Sequence, residues 1–212
     1  MRVFTVTPVK PLSKAKARLS SILSSEERRF LTLYMLEDVL KAVKDVVNDA
    51  VVISMDVEIL SFALKHGALP LIEVEAGLNQ AVGYAVEWCM KQGAEAVVVL
   101  PADVPLIQRE DLLSIIKCLE RVNIVISPSI NGGTNALALR PPNAIKPCYG
   151  PRSFKFHLSE AKAKKLSYLV YESPRIALDI DSKEELLRFI EVESPTRTYE
   201  YLRSLQRIRK AT

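Results

Sequence analysis

The chain has 212 residues, of which 49% are apolar and 25% charged, with a formal net charge of +4. That is the profile of one globular domain with enough chain to bury a sizeable core, and no apolar run is long enough to span a bilayer. The charge excess sits in residues 196–212, where Arg197, Arg203, Arg207, Arg209 and Lys210 face Glu200 alone; a basic stripe interleaved with aromatics over the body, as nucleic-acid binding asks, is absent.

Residues 2–9 (RVFTVTPV) read as a first strand, rich in β-branched and aromatic residues. With one charge and no long apolar stretch or small-residue cleavage site, this N-terminus is expected to be structure and not a signal peptide. From Ser24 a helix begins, because Ser24 and Glu27 form a capping-box pattern and Leu36, Val39, Leu40, Val43, Val46 and Val47 recur at helical spacing. AVVIS (50–54) is a second strand, residues 57–66 a short helix stopped by Gly67, and ALPLIEV (68–74) a third strand that Pro70 assigns to an edge or a strand start. Residues 79–92 are helical, with Ala81, Ala85, Trp88 and Cys89 on one side and Gly93 as the stop. AVVVL (96–100) is continuously apolar, as a parallel strand covered on both faces must be. A helix at 109–121, strands at 124–129 and 136–140, a helix at 152–165, a strand at 166–171 and a helix opening after Asp181 complete the order. Strand and helix alternate with no repeat and no linker. The pattern predicts one three-layer α/β/α domain over 1–195 with a mainly parallel mixed sheet, followed by a basic amphipathic tail helix within 196–212. Cys89, Cys118 and Cys148, with only His66 and His157 beside them, suggest neither a disulfide framework nor a zinc site, and so a reducing, cytoplasmic setting.

In such sheets ligands bind beyond the carboxyl ends of the strands. After the first strand come Lys10, Lys14, Lys16 and Arg18 with no acid among them; ammonium and guanidinium groups suit a triphosphate, although a solvated basic loop reads the same way. Neither GxxxxGK[ST] nor GxGxxG is present. After the buried strand, Pro101-Ala102-Asp103-Val104-Pro105 sets a carboxylate where an apolar strand emerges, which is costly unless something binds it; a hard divalent cation, Mg²⁺, is the usual partner. Asn131-Gly132-Gly133-Thr134-Asn135 is either a hairpin turn or an anion cradle to which Thr134 and Asn135 add donors. Gly150 and Ser153 precede a helix and either start it or bind an anion. Asp179 and Asp181, two residues apart on one side of an extended segment, could complete a metal site with Asp103. In the same place, Asp181 or Ser182 could cap the next helix, with Glu184 or Glu185 three residues on.

Taken together, PVKPLSKAKARLS, GLNQA (77–81), LPADVPL (100–106), GGTNAL (132–137), YGPRSFKFH (149–157) and ALDIDSKEEL (177–186) resemble the 2-phospho-L-lactate guanylyltransferase family of deazaflavin coenzyme F-420 biosynthesis, up to about residue 190. The resemblance implies the nucleotide-diphospho-sugar transferase-like fold. It implies transfer of GMP from GTP to a small phosphorylated three-carbon acid (2-phospho-L-lactate or phosphoenolpyruvate), with pyrophosphate leaving. Carried onto this sequence, it puts Lys10, Lys14 and Arg18 on the triphosphate, Pro8 among the nucleotide-binding residues, and Gly77, Leu78 and Asn79 by the nucleoside with Pro101 and Ala102. Mg²⁺ goes on Asp103, Asp179 and Asp181, and the acceptor on Thr134, Asn135, Gly150 and Ser153. Lys10, Asp103 and Asp181 would carry catalysis. No nucleic acid or membrane partner is implied. Departures are Ser182-Lys183, where related sequences often read Thr-Pro, and Tyr149, where Phe is frequent. PAD-x-P alone would also fit other nucleotidyltransferases of the fold, of the molybdopterin or sugar-phosphate type, and a non-catalytic nucleotide-binding regulator could keep the fold. In the tail, Tyr201, Leu205 and Ile208 share a helical face that needs a covering surface, in the same subunit or in a homodimer, which the related enzymes suggest.

Overall fold

A computed structural model describes residues 1–205. Its seven-stranded sheet has the order β3-β2-β1-β4-β6-β5-β7, built from β1 (Val3–Pro8), β2 (Asp49–Ser54), β3 (Leu69–Ile72), β4 (Ala96–Val99), β5 (Ile124–Pro128), β6 (Thr134–Leu139) and β7 (Tyr168–Val170). All neighbours pair in parallel except β6, which runs antiparallel to both β4 and β5. The exception follows from the short 129–133 connection, which is too short for a crossover and therefore makes a hairpin. β3 is an edge strand, so Pro70, which lacks an N–H, leaves no ladder bond unmade inside the sheet.

Among the described residues eight α-helices cover the sheet or close its ends: α1 (Ser25–Val43), α2 (Val57–Lys65), α3 (Leu78–Lys91), α4 (Arg109–Cys118), α5 (Ser153–Ala163), α6 (Pro174–Ala177), α7 (Lys183–Glu191) and α8 (Arg197–Ser204). Alternation along each strand feeds two cores. Val52, Val98, Leu100 and Val125 pack with α1, α2 and α4, whereas Phe4, Val6, Val97, Val99 and Ile126 pack with α3 and α5. β4 is buried at every position because it is covered on both faces. Ser24 and Glu27 close a reciprocal capping box on α1, and Ser182 and Glu185 do the same on α7. Beyond element ends, the structure adds to the sequence reading α6, whose four residues are too few to carry a period, and two short 3₁₀ turns in the loop after β1.

A third core joins α1, α7 and α8 through Leu31, Met35, Leu186, Phe189, Ile190 and Leu202. Asp38 of α1 accepts three hydrogen bonds from the start of α8: from the backbone N–H of Arg197 (2.8 Å), and from the N–H (2.9 Å) and hydroxyl (2.6 Å) of Thr198. The Tyr201 hydroxyl donates to the Glu27 carbonyl. Leu202 is thus buried within its own chain, and Tyr201 and Leu205 are partly covered there. Ile208, Arg207, Arg209 and Lys210 lie outside the described residues.

Candidate active site

The chain runs from β1 outward to β2 and β3, then returns to place β4 on the other side of β1. The switch point therefore lies between β1 and β4, where a crevice opens at the strands' carboxyl ends. A cavity of about 540 Å³ occupies it. Its lining includes Pro8, Lys10, Lys14, Lys16 and Arg18 from the loop after β1, Gly77 and Leu78 at the start of α3, Pro101, Ala102 and Asp103 after β4, and Asp181 before α7.

The basic loop is held and not merely solvated. Residues 12–14 and 17–19 form two 3₁₀ turns. Leu12, Ala15, Leu19 and Leu23 are buried between them and α1, each leucine adding roughly 2 kcal/mol of apolar burial. This anchoring leaves Lys10, Lys14 and Arg18 exposed at the rim. Lys16 goes the other way. At φ 50° it is in the left-handed region, which costs a non-glycine residue on the order of 1 kcal/mol, and its side chain points inward with 8% exposure.

The Lys16 ammonium is the centre of the site. Its Nζ donates to Asp103 Oδ2 at 2.7 Å and to Asp181 Oδ1 at 2.8 Å, and Arg18 lies 4.0 Å from Asp181 Oδ2. Burial acts to lower the Lys16 pKa, but the two carboxylates outweigh it and raise the value above that of a free lysine. Burial likewise acts to raise Asp181, and Lys16 with Lys10 and Arg18 overrides it and holds the carboxyl below its usual range. The Ile180 N–H donates to the Asp103 carbonyl at 3.0 Å, which locks together two segments that lie far apart in sequence.

Two carboxylate oxygens converging on one cation are a donor set suited to Mg²⁺, which is held by one or two carboxylates with the remaining positions left to water and phosphate oxygens. Asp179 does not join them. Asn135 Nδ2 donates to Asp179 Oδ1 at 3.0 Å and to the carbonyls of Ile176 (2.8 Å) and Ala177. Burial first, and Asp103 second, push the Asp179 carboxyl up to about 6. Among the described residues no three acid, histidine or cysteine side chains form a metal-binding group. Of the three aspartates expected to share a metal, Asp103 and Asp181 meet at Lys16 and Asp179 is held beside them by Asn135. The same bonds commit the Asn135 Nδ2 to the 176–179 segment.

Asn79 is also held by backbone groups. Its amide pairs both ways with the backbone of Tyr149, donating to the carbonyl at 3.0 Å and accepting from the N–H at 2.6 Å. It does not line the cavity; it ties the first turn of α3 to the 148–150 loop. The Gly132 and Gly133 N–H groups are used inside the hairpin, by the Ser129 carbonyl and the Ser129 Oγ (2.8 Å), so the turn reading holds there and no backbone cradle is left. Thr134 and Ser153 are buried outside the cavity lining, with Ser153 Oγ 3.3 Å from Thr134 Oγ1. Gly150, at φ 142°, has open space beside it. The Tyr149 hydroxyl is buried with no partner among the described residues, so a phenylalanine would fit this position equally well.

The sequence sets Lys16 in the basic loop without a role. Its signal was local: with Leu12, Ala15 and Leu19 anchored, the residues between them cannot all point outward. His157, buried between the Cys148 N–H and the Thr134 hydroxyl, carries no signal in the sequence, where it is a lone histidine in a helix.

The family described as guanylyl transferase CofC-like matches residues 1–210. The 2-phospho-L-lactate guanylyltransferase of Methanocaldococcus vulcanius is 40% identical over 204 residues, covering 96% of this chain and 91% of that one. The phosphoenolpyruvate guanylyltransferase of Rubrobacter xylanophilus is 40% identical over 191 residues, covering 89% and 93%. A solved structure described as a candidate nucleotide-diphospho-sugar transferase of Desulfovibrio desulfuricans superposes with a TM-score of 0.83 at 17% identity, covering 99% of this chain and 98% of that one. At that identity the likeness bears on the fold alone, which is nucleotide-diphospho-sugar transferase-like.

Proposed function

The chain belongs to the CofC-like guanylyl transferase family, and on that premise we propose that it joins GMP from GTP to 2-phospho-L-lactate or phosphoenolpyruvate, releasing pyrophosphate, as a step of coenzyme F-420 biosynthesis. The observation that carries the reading is the switch-point cavity, with a basic rim at Lys10, Lys14 and Arg18 and the Asp103–Asp181 pair at its floor.

The rim cations neutralise triphosphate oxygens, and Gly77, Leu78, Pro101 and Ala102 form the walls beside the nucleoside. An oxygen of the acceptor's own phosphate attacks the α-phosphorus of GTP; a P–O bond forms to it as the bond to pyrophosphate breaks. The nucleophile arrives already ionised, so no serine, cysteine or histidine is needed to activate it. The protein's part is alignment and charge neutralisation. Asp103 and Asp181 would hold Mg²⁺, which when bound supplies further positive charge against the reacting phosphates. Thr134 and Ser153, buried outside the cavity lining, and Gly150, with open space beside it, are assigned to the acceptor side on the family resemblance. The cysteines are unpaired among the described residues, which suits the cytoplasm, and no described helix is long and apolar enough to cross a membrane.

The test is pyrophosphate release from GTP with each phospho-acid in turn, with and without Mg²⁺. Release that needs GTP, one of these acids and the metal is expected, and Asp103→Asn should abolish it without changing the melting temperature by more than a few degrees. Equal release with CTP, or with a sugar phosphate in place of the acid, would overturn the assignment.

A further inference from the structure

Resting on the acceptor-side reading above, we infer that His157 is a positioning residue that turns the Thr134–Ser153 hydroxyl pair into a hydrogen-bond donor for an oxyanion of the phospho-acid. The inference comes from counting protons in a closed network. The backbone N–H of Cys148 lies 2.9 Å from His157 Nε2. A backbone N–H can only donate, so Nε2 carries no proton and offers its lone pair. The ring is fully buried, and burial pushes its pKa down to about 4 against the opposing charge of Glu160. It is neutral at physiological pH, and its single proton must sit on Nδ1.

Nδ1 lies 3.0 Å from Thr134 Oγ1, and with that proton it donates to the threonine. Ser153 Oγ donates to the same oxygen at 3.3 Å. The two hydroxyls own two protons. One is used between them, and none is needed by the histidine, so one remains to be given outward. That count is the same whichever hydroxyl donates to the other. Under the opposite tautomer Thr134 would donate to Nδ1, both protons would be consumed, and the pair would present only lone pairs. Phosphate and carboxylate oxygens at neutral pH accept and do not donate, so the first arrangement binds the acceptor and the second repels it. The geometry also fixes the ring: Tyr149 packs edge-on against it at 5.3 Å and 74°, and the Tyr149 backbone is itself clamped by Asn79.

The protein has two histidines, so ¹⁵N-histidine labelling with His66→Gln as the assignment control reads the His157 tautomer directly in the full chain. The result expected at pH 7 is a neutral ring protonated on Nδ1; an Nε2–H ring or an imidazolium overturns the inference, and this readout needs no variant of His157. Kinetics supply the second arm. His157→Phe should raise KM for the phospho-acid roughly 10- to 100-fold, the loss of a hydrogen bond to a charged group, while KM for GTP stays within about twofold. His157→Asn, which can place an amide N–H near the Nδ1 position, should recover a large part of the loss. A His157→Phe enzyme with equal losses toward both substrates, or none, overturns the role. Thr134→Val separates the two levels of argument. If it leaves the acceptor KM unchanged, the acceptor-side reading and this inference fall together; if it raises that KM while His157→Phe does not, the reading stands and the inference alone fails.

Discussion

Replacing Lys16 with methionine keeps an unbranched side chain one atom shorter and removes the charge that holds Asp103 and Asp181 together. Two charge-assisted hydrogen bonds are lost, at 2.7 and 2.8 Å, and two carboxylates are left facing one another across a gap one cation wide. Removing one partner of a buried pair costs roughly 3–5 kcal/mol. Here Asp103 and Asp181 keep 24% and 44% side-chain exposure and regain some water, which brings the cost to the lower end, about 3 kcal/mol. For a domain of this size the melting temperature should fall by roughly 6–12 °C. The assay is thermal unfolding in chelator and in millimolar Mg²⁺ or Mn²⁺, without nucleotide. With the ammonium gone, a divalent ion meets no internal competitor, and at a hundred times its Kd it restores about 2.7 kcal/mol. Lys16→Met should therefore melt low in chelator and recover with metal, while the native chain responds weakly. A variant that melts like the native chain in chelator, or one that gains nothing from metal, would refute the claim that the ammonium stands where a cation belongs.

Other residues give sharper local tests. Asp179 has a folded pKa of about 6, above its unfolded value near 3.9, so the folded state holds the proton longer and stability falls as pH rises from about 4 to about 6. Asp179→Asn should match the native chain at pH 4 and exceed it by about 2 kcal/mol at pH 7, after allowance for partial exposure; equal pH profiles of thermal unfolding would count against it. Asn79→Ala should raise KM for the phospho-acid more than KM for GTP, because its amide clamps the 148–150 loop; a selective loss of GTP affinity would return Asn79 to the nucleoside. Thr198→Val leaves Asp38 short of a donor and should cost about 1–3 kcal/mol by denaturant titration, with kcat unchanged. Tyr149→Phe removes a buried, unpartnered hydroxyl and should leave the melting temperature equal or higher; a fall of several degrees would mean the hydroxyl has a partner.

Much of the fold was legible because its signals are local. The apolar run at 96–100 needs both faces covered, and β4 is buried throughout. Pro70 cannot donate within a ladder, and β3 is an edge. Ser24-Glu27 and Ser182-Glu185 announce helix starts through bonds spanning three residues. The antiparallel β6 was less visible, since GGTNAL gives the turn but not the strand beside which its second arm will lie. The tail helix showed its apolar face without showing that α1 and α7 would cover it.

The site was legible in its residue types and less so in its wiring. Asp103, Asp181 and the basic loop were found by what stands at strand ends, where the fold concentrates chemistry. Asn79, Asn135 and Asp179 belong to the same motifs, and the hydrogen bonds they make to neighbouring segments exist only in the folded chain. Lys16 and His157 make the same point from the other side. Lys16 acts through acids 87 and 165 positions away, and His157 through a backbone N–H whose direction exists only once the 148–150 loop has folded. Both are cases in which burial turns an ordinary side chain into a specified one: an ammonium that cannot lose its charge between two carboxylates, and an imidazole that cannot choose its tautomer. Motif residues name the reaction, and these buried partners fix which protonation state meets the substrate.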